Sequence, residues 1–264
     1  MERDVAQDDP PFACSRSGRG MASSGGTSGE LRLMLDLAPA GNATTGPLVD
    51  WFRSLPPGNG VRAAVCALIA YVLGCLATGY YLVRIRTGKD IRTIESGNIG
   101  ARNVGRVLGS SGFFITFLGD LAKGVLSVLL ARILSHNDPL ATGAAIPAAI
   151  AGHLWPAQLG FRGGKGVSTG LGAVLMFDYR LAIPLALAAA VGYALTRMSV
   201  PAGMFMFACL PPSSWWFRHD VRVVALLAVA CAMIIAAHRS NLVRDVAAMR
   251  ARRPKAPAGG PPPP

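Results

Sequence analysis

From Val61 onward the chain alternates between long apolar runs and short polar segments. Val61–Val83, Gly112–Leu134, residues 140–159, 180–197, 199–217 and Val221–Ala237 come close to the roughly 20 residues needed to cross a bilayer. Gly166–Phe177 is apolar but short, which fits a segment whose start is buried in protein rather than lipid. Backbone polar groups in lipid have to be satisfied within each segment, so the runs are expected to be helices. The pattern predicts an all-α, polytopic integral membrane helix bundle of about seven transmembrane helices over residues 61–249.

Composition agrees: 52% of the residues are hydrophobic and only 15% are charged. The net charge of +12 would suggest nucleic acid on a soluble protein, but here the aromatics are few and the basic residues flank apolar runs. The positive-inside tendency accounts for it, with anionic lipid or an anionic substrate as partner and no nucleic acid. The segment after the first run (Arg84, Arg86, Lys89, Arg92, Arg102, Arg106), the segment after the third (Arg162, Lys165) and the C-terminal end (Arg239, Arg244, Arg250) are basic, whereas "SHNDP" after the second run has no Lys or Arg. An odd number of spans places the three basic segments on one face, expected to be cytoplasmic, in a multi-pass cell membrane protein. Arg218 and Arg222 fall on the other face.

Residues 1–60 are rich in Gly, Ser and Pro and hold no long apolar run, so a disordered leader without a catalytic role is expected there. Residues 250–264 read as a basic, Pro/Gly-rich cytoplasmic tail. The five cysteines have no framework spacing and the four histidines no zinc-peptidase spacing, so neither a disulfide scaffold nor a metal site is indicated.

Four polar clusters interrupt this background. "ESGNIGARNVGRVLG", Glu95–Gly109, carries Ser96, Asn98, Asn103, Arg102 and Arg106 among Gly97, Gly100 and Gly105. Successive backbone N–H groups of a glycine-rich turn form an anion nest, and arginines fork onto phosphate oxygens. "GHLWPAQLGFRGGKGVSTGLG", Gly152–Gly172, places Gly163, Gly164, Lys165 and Gly166 before an apolar helix that opens with Val167, Ser168 and Thr169. A glycine loop leading into a helix N-terminus favours an anion. It is not a Walker A loop, because Gly166 and Val167 follow Lys165 where that motif has Ser or Thr. "HRSNLVRD" sets His238, Asn241 and Asp245 at helical spacing. Asp120 and Lys123 lie inside the second run, where ionisable groups either pair with each other or face a cavity; the spacing allows both. No Ser-His-Asp order, nucleophile elbow or cysteine nucleophile is visible, which points to direct transfer between two bound substrates, at least one with an acyl tail.

In that order, "SGNIGARNVGR", "GDLAKG", "GHLWPAQLGFRGGKGVSTGLG" and "HRSNLVR" resemble the motifs of the bacterial acyl-phosphate:glycerol-3-phosphate acyltransferases, the PlsY family. The resemblance implies a seven-helix membrane enzyme that moves an acyl group from acyl phosphate to the sn-1 hydroxyl of glycerol 3-phosphate, giving lysophosphatidic acid for phospholipid synthesis. It implies no cofactor, no metal and no covalent nucleophile, with proton transfer assisted by substrate. Carried over by motif position, Ser96, Arg106, Lys123, His238 and Asn241 contact glycerol 3-phosphate. Gly97, Asn98, Gly100, Asn103, His153, Gly163, Gly164, Lys165, Gly166, Ser168 and Thr169 hold the acyl phosphate.

The chain departs from that pattern in three places. Arg102 stands where the family has Thr, Trp155 where it has Phe, and Ala248 and Arg250 where the third motif continues Gly-x-Glu. An acyl-CoA-type enzyme relying on His, four residues, then Asp is set aside, since Ala141, Gln158, Val224 and Val243 occupy the Asp position after the four histidines. A phosphate-type anion transporter is the alternative of another class, but no motif occurs twice and the clusters share one face.

Overall fold

The computed structural model describes residues 47–252. The expectations for residues 1–46 and 253–264 lie outside the described residues. Within them the chain is helical, with no strand: α1 (Pro47–Ser54), α2 (Gly60–Gly74), α3 (Thr78–Thr87), α4 (Ala101–Ser135), α5 (Pro139–Leu154), α6 (Val167–Phe177), α7 (Ala182–Thr196), α8 (Ser199–Ala208), α9 (Leu210–Trp216), α10 (Val221–Ala237) and α11 (Arg239–Arg252). α1 corrects the leader expectation over its last residues. Pro47 starts the helix where a proline ring is tolerated, and Phe52 is buried beneath the Arg62 guanidinium, 5.9 Å from its ring.

Helix α5 is the centre of the bundle and packs against α2, α4, α6 and α10. Its buried side chains are mostly small, Ala141, Ala145 and Ala149 beside Ile146 and Ile150. In lipid the helices gain from close backbone approach rather than from the hydrophobic effect. Gly74 lies on the carbonyl of Ala149, Gly152 on that of Tyr71, Gly124 on that of Thr169 and Gly172 on that of Leu121; a Cβ at any of the four would overlap backbone.

Hydrogen bonds fix which helix ends share a side. At one end Arg62 Nη1 donates to Ser135 O (3.3 Å), Arg132 Nη1 to Met176 O (3.0 Å), and His219 Nε2 lies 3.0 Å from Asp178 Oδ2. At the other the Tyr71 hydroxyl donates to Trp155 O (2.9 Å) and Gln158 Nε2 to Cys75 O. Exposed aromatics mark both ends, Trp51, Trp215 and Trp216 at the first, Tyr81, Trp155 and Phe161 at the second, as in the belts of membrane proteins.

The expected first span is broken: α2 stops at Gly74 and α3 begins at Thr78, leaving the carbonyls of Cys75 and Leu76 to side chains. The expected sixth is divided into α8 and α9 before Pro211 and Pro212, which cannot continue a hydrogen-bond ladder. Against the expected seven, three stretches are long and apolar enough to cross a membrane, Gly60–Thr87 across its break, Ala101–Ser135 and Tyr179–Thr196, and a fourth if α10 and the start of α11 count as one bent span; α6 is shorter. α4 extends eleven residues N-terminal of the expected start at Gly112 and is kinked at Gly109, with φ 74° and ψ −166°.

Candidate active site

The first cluster folds as a turn held from within. Gly97, with φ 67°, donates its N–H to Ile94 O (3.0 Å). Asn103, buried on the first turn of α4, reaches back over the turn: its Oδ1 accepts from Ser96 N (3.3 Å) and its Nδ2 donates to Ile94 O (3.1 Å). Asn98 Oδ1 accepts from Gly100 N (2.8 Å). Both asparagine side chains thus shape the loop, Asn103 through both its amide atoms and Asn98 through its Oδ1. Gly100 caps α4 with no side-chain hydrogen bond, so the first N–H groups of the helix are uncapped. Ser96, Arg102 and Arg106 are exposed.

The glycine loop of the second cluster lies on the end of α5. Gly163 N–H donates to Leu154 O (3.0 Å) and Gly164 N–H to His153 O (2.9 Å). At Gly164 a Cβ would overlap the His153 ring. Gly166, with φ 80°, turns the chain into α6, again with no side-chain cap. Thr169 points inward, its hydroxyl 3.3 Å from His153 Nδ1, and Ser168 is half-buried.

Behind this loop is a buried polar chain. Lys123 Nζ lies 2.9 Å from Asp120 Oδ1 and donates to Leu76 O (2.7 Å), the carbonyl left open where α2 breaks. His153 Nδ1 stands 3.6 Å from the same carboxylate oxygen. Asp120 and Lys123 are each 3% exposed. Of the two readings left open by their spacing, the structure adopts the ion pair. The Lys123 ammonium expected at a substrate is thus engaged by Asp120 and Leu76 O, and His153 lies behind the glycine loop as its support.

The third cluster lies where the helix axis bends by 59° between α10 and α11. His238, buried at the bend, donates from Nδ1 to Ile234 O (2.8 Å), which leaves Nε2 as the free ring nitrogen. Asn241 is half-buried and accepts from Arg244 Nη2 at Oδ1 (2.7 Å). Ala248 and Arg250 lie on α11.

The clusters meet around Lys165. Burial, then the charges of Arg244 and Arg102, hold its ammonium below the usual lysine range, with Asp245 acting in the opposite sense. Arg102 and Lys165 also act electrostatically on His238. Lys165 therefore belongs with His238, Asn241 and Arg244, whereas Lys123 does not. Beside this group an open groove of about 340 Å³ is lined by Arg102, Gly105, Arg106, Gly109, Ser110, Phe113 and Phe114. Sequence reasoning missed the groove because it ended the loop and started the helix at the wrong place. The run Gly109-Ser110-Ser111 is the signal for the kink that forms it.

A bundle of apolar helices with two glycine-opened helix starts and a set of cations at one membrane end defines a membrane protein built to hold phosphate-type anions. Comparison with known proteins narrows the class. Residues 64–248 match the model of the glycerol-3-phosphate acyltransferase family. A glycerol-3-phosphate acyltransferase 1 of Desulfitobacterium hafniense (strain Y51) is 41% identical over 174 residues, 66% of this chain and 85% of the relative. A glycerol-3-phosphate acyltransferase of Halorhodospira halophila is 38% identical over 193 residues, 71% of this chain and 95% of the relative. The crystal structure of PlsY (YgiH), an integral membrane glycerol 3-phosphate acyltransferase, in its glycerol 3-phosphate form superposes with a TM-score of 0.65 at 30% identity, covering 70% of this chain and 92% of that one. The chain belongs to the glycerol-3-phosphate acyltransferase family, of the PlsY type.

Proposed function

We propose that this protein, a membrane acyltransferase, moves a fatty acyl group from acyl phosphate to the sn-1 hydroxyl of glycerol 3-phosphate, at the cytoplasmic face of the cell membrane. The family supports acylation of glycerol 3-phosphate. Support for the acyl phosphate donor comes from one observation: α4 and α6 both start at uncapped glycines, and Arg102 on the first turn of α4 stands within electrostatic reach of Lys165, just before α6. Such a pair of starts suits two phosphorylated substrates side by side.

The acceptor hydroxyl attacks the carbonyl carbon of the mixed anhydride. A C–O ester bond forms, the C–O bond to phosphate breaks, and phosphate leaves with the bonding pair and takes up the hydroxyl proton. The anhydride is already activated, so the protein's work is alignment and charge stabilisation. Lys165, His238 and Asn241, with Ser96 and Arg106, form the glycerol phosphate seat. This moves Lys165 from the donor side and removes Lys123 from the ligand set. The open N–H groups after Gly100 and after Gly166, with Ser168, hold the donor phosphate, and Gly97 shapes the turn that presents the first of them. Asp120, Lys123, His153 and Thr169 position the loop from behind.

The test is purified protein in detergent with palmitoyl phosphate and labelled glycerol 3-phosphate, without CoA or added metal. The expected product is 1-palmitoyl-glycerol 3-phosphate. Product formed only with palmitoyl-CoA would refute the donor assignment, and product acylated at the second hydroxyl the regiochemistry.

A further inference from the structure

The groove at the Gly109 kink joins two chemistries. Arg102 and Arg106 line it together with Phe113 and Phe114. Gly105 has no side chain between them, and a Cβ there would stand 3.0 Å from that of Phe113. The Phe113 ring meets Phe114 edge-on, with centroids 5.4 Å apart, and stacks on Phe117 at 6.1 Å, which gives a continuous aromatic strip running along α4. Phe114 is 58% exposed. Glycerol 3-phosphate has no apolar part to place on such a strip. A phosphate monoester with one hydrocarbon chain has both parts, and in the reaction above the donor and the product are of that kind. Arg102 lies in the groove and also within electrostatic reach of Lys165 and His238, so it is placed where a phosphate passes from groove to seat.

We propose that Arg102 sets the preference for the acylated ligand: its guanidinium holds the phosphate of a single-chain acyl or alkyl phosphate monoester whose chain lies over Phe113 and Phe114. The proposal rests on the reading that such a monoester is a ligand of this site, but not on which donor supports turnover. The groove, about 340 Å³, is at the low end of ligand pockets, so it takes the head and first carbons while the rest of the chain continues into the bilayer. A guanidinium suits this place because it forks onto two phosphate oxygens and its planar face tolerates apolar neighbours.

The experiment is equilibrium binding of dodecyl phosphate, an unreactive monoester, to the full chain in nanodiscs, with glycerol 3-phosphate, inorganic phosphate and phosphatidylglycerol measured in parallel. Arg102→Gln should weaken dodecyl phosphate about tenfold and glycerol 3-phosphate no more than about twofold, with Arg102→Lys recovering part of the loss. Phe114→Ala, on a side chain 58% exposed, should weaken dodecyl phosphate about threefold and leave inorganic phosphate unchanged. Equal losses for both phosphates in Arg102→Gln, no loss at all, or displacement of dodecyl phosphate by phosphatidylglycerol at equal concentration would overturn the proposal; the last would make the arginines a lipid headgroup contact. Binding needs no turnover. Protein that binds dodecyl phosphate through Arg102 yet transfers no acyl group would refute the proposed reaction and leave this inference standing.

Discussion

At the end of the bundle that holds Asp138, Asp178 and Asp220, α5, α10 and the turn before α7 begin under a carboxylate. Asp138 Oδ1 accepts from Leu140 N and Ala141 N at the start of α5, Asp178 from Arg180 N in the turn before α7, and Asp220 from Arg222 N at the start of α10. Each carboxylate also has an arginine: Arg62 at 4.0 Å, Arg180 at 2.7 Å and Arg222 at 3.1 Å. At the other end Asp90 does the same for the turn Ile91–Thr93, pairing with Arg92 at 2.7 Å, yet α4 and α6, which start there, start at glycine. At one end carboxylates satisfy three helix or turn starts and their arginines, and at the other the starts of α4 and α6 carry no side-chain cap, as the proposed ligand sites require. In the proposed function the same residue types serve stability on one side and binding on the other, and what separates α5 and α10 from α4 and α6 is whether the residue before the helix brings its own anion.

The difference can be broken at several points. Gly164→Ala should have the largest effect, since its methyl group would displace His153 or the loop. A loss of about a hundredfold in kcat/KM at nearly unchanged thermal stability is expected, as for a small misplacement of a reacting group; activity within threefold of the parent would mean that the loop does not set the geometry. Lys165→Ala should raise the KM for glycerol 3-phosphate about tenfold or more and the KM for acyl phosphate less, as loss of one charge-assisted contact. The reverse split would return Lys165 to the donor side.

A pH titration sharpens the comparison further. The Lys165 ammonium is held below the usual lysine range, so it loses its proton on the alkaline side earlier than an exposed lysine. Affinity for glycerol 3-phosphate should therefore fall as pH rises through that lowered value, and Lys165→Arg should keep affinity into more alkaline solution. An identical alkaline limb in Lys165→Arg would assign the titration to another group. Smallest in catalytic effect is Asp138→Ala at the opposite end. It removes two N–H contacts, the bond from Gly58 N and the partner of buried Arg62, so a stability loss of about 2–4 kcal/mol is expected in thermal unfolding, with both KM values within about twofold. A large KM change would show that the ends are not independent.

Much of the molecule was legible from residue order. The apolar runs gave α10 to the residue, Val221–Ala237, and Gly166–Phe177 was expected short and starts inside protein, as Gly166 does. Motifs stood out because Ser, Asn, Arg and Gly are conspicuous in an apolar background. Side-chain direction was less legible. Asn98 and Asn103 were expected at a ligand, but short amides beside a turn bond to its backbone first. Lys123 was drawn into the site by motif position, while the break after α2, which supplies its carbonyl partner, has no proline to announce it. Arg244 was read as one of many tail cations, and only the bend at His238 brings it to Lys165.

The chain has four lysines, at positions 89, 123, 165 and 255. Lys123 lies sealed between a carboxylate and a carbonyl, so an acylating or pyridoxylating reagent has no route to its amine while the bundle is folded. Lys165 is partly accessible, and burial with the nearby Arg244 and Arg102 charges holds its ammonium below the usual lysine range, so its free amine is reached at lower pH than that of an exposed lysine. Covalent inhibitors aimed at amines would therefore strike the proposed phosphate seat, and the chemistry that suits that seat to phosphate is also its point of vulnerability.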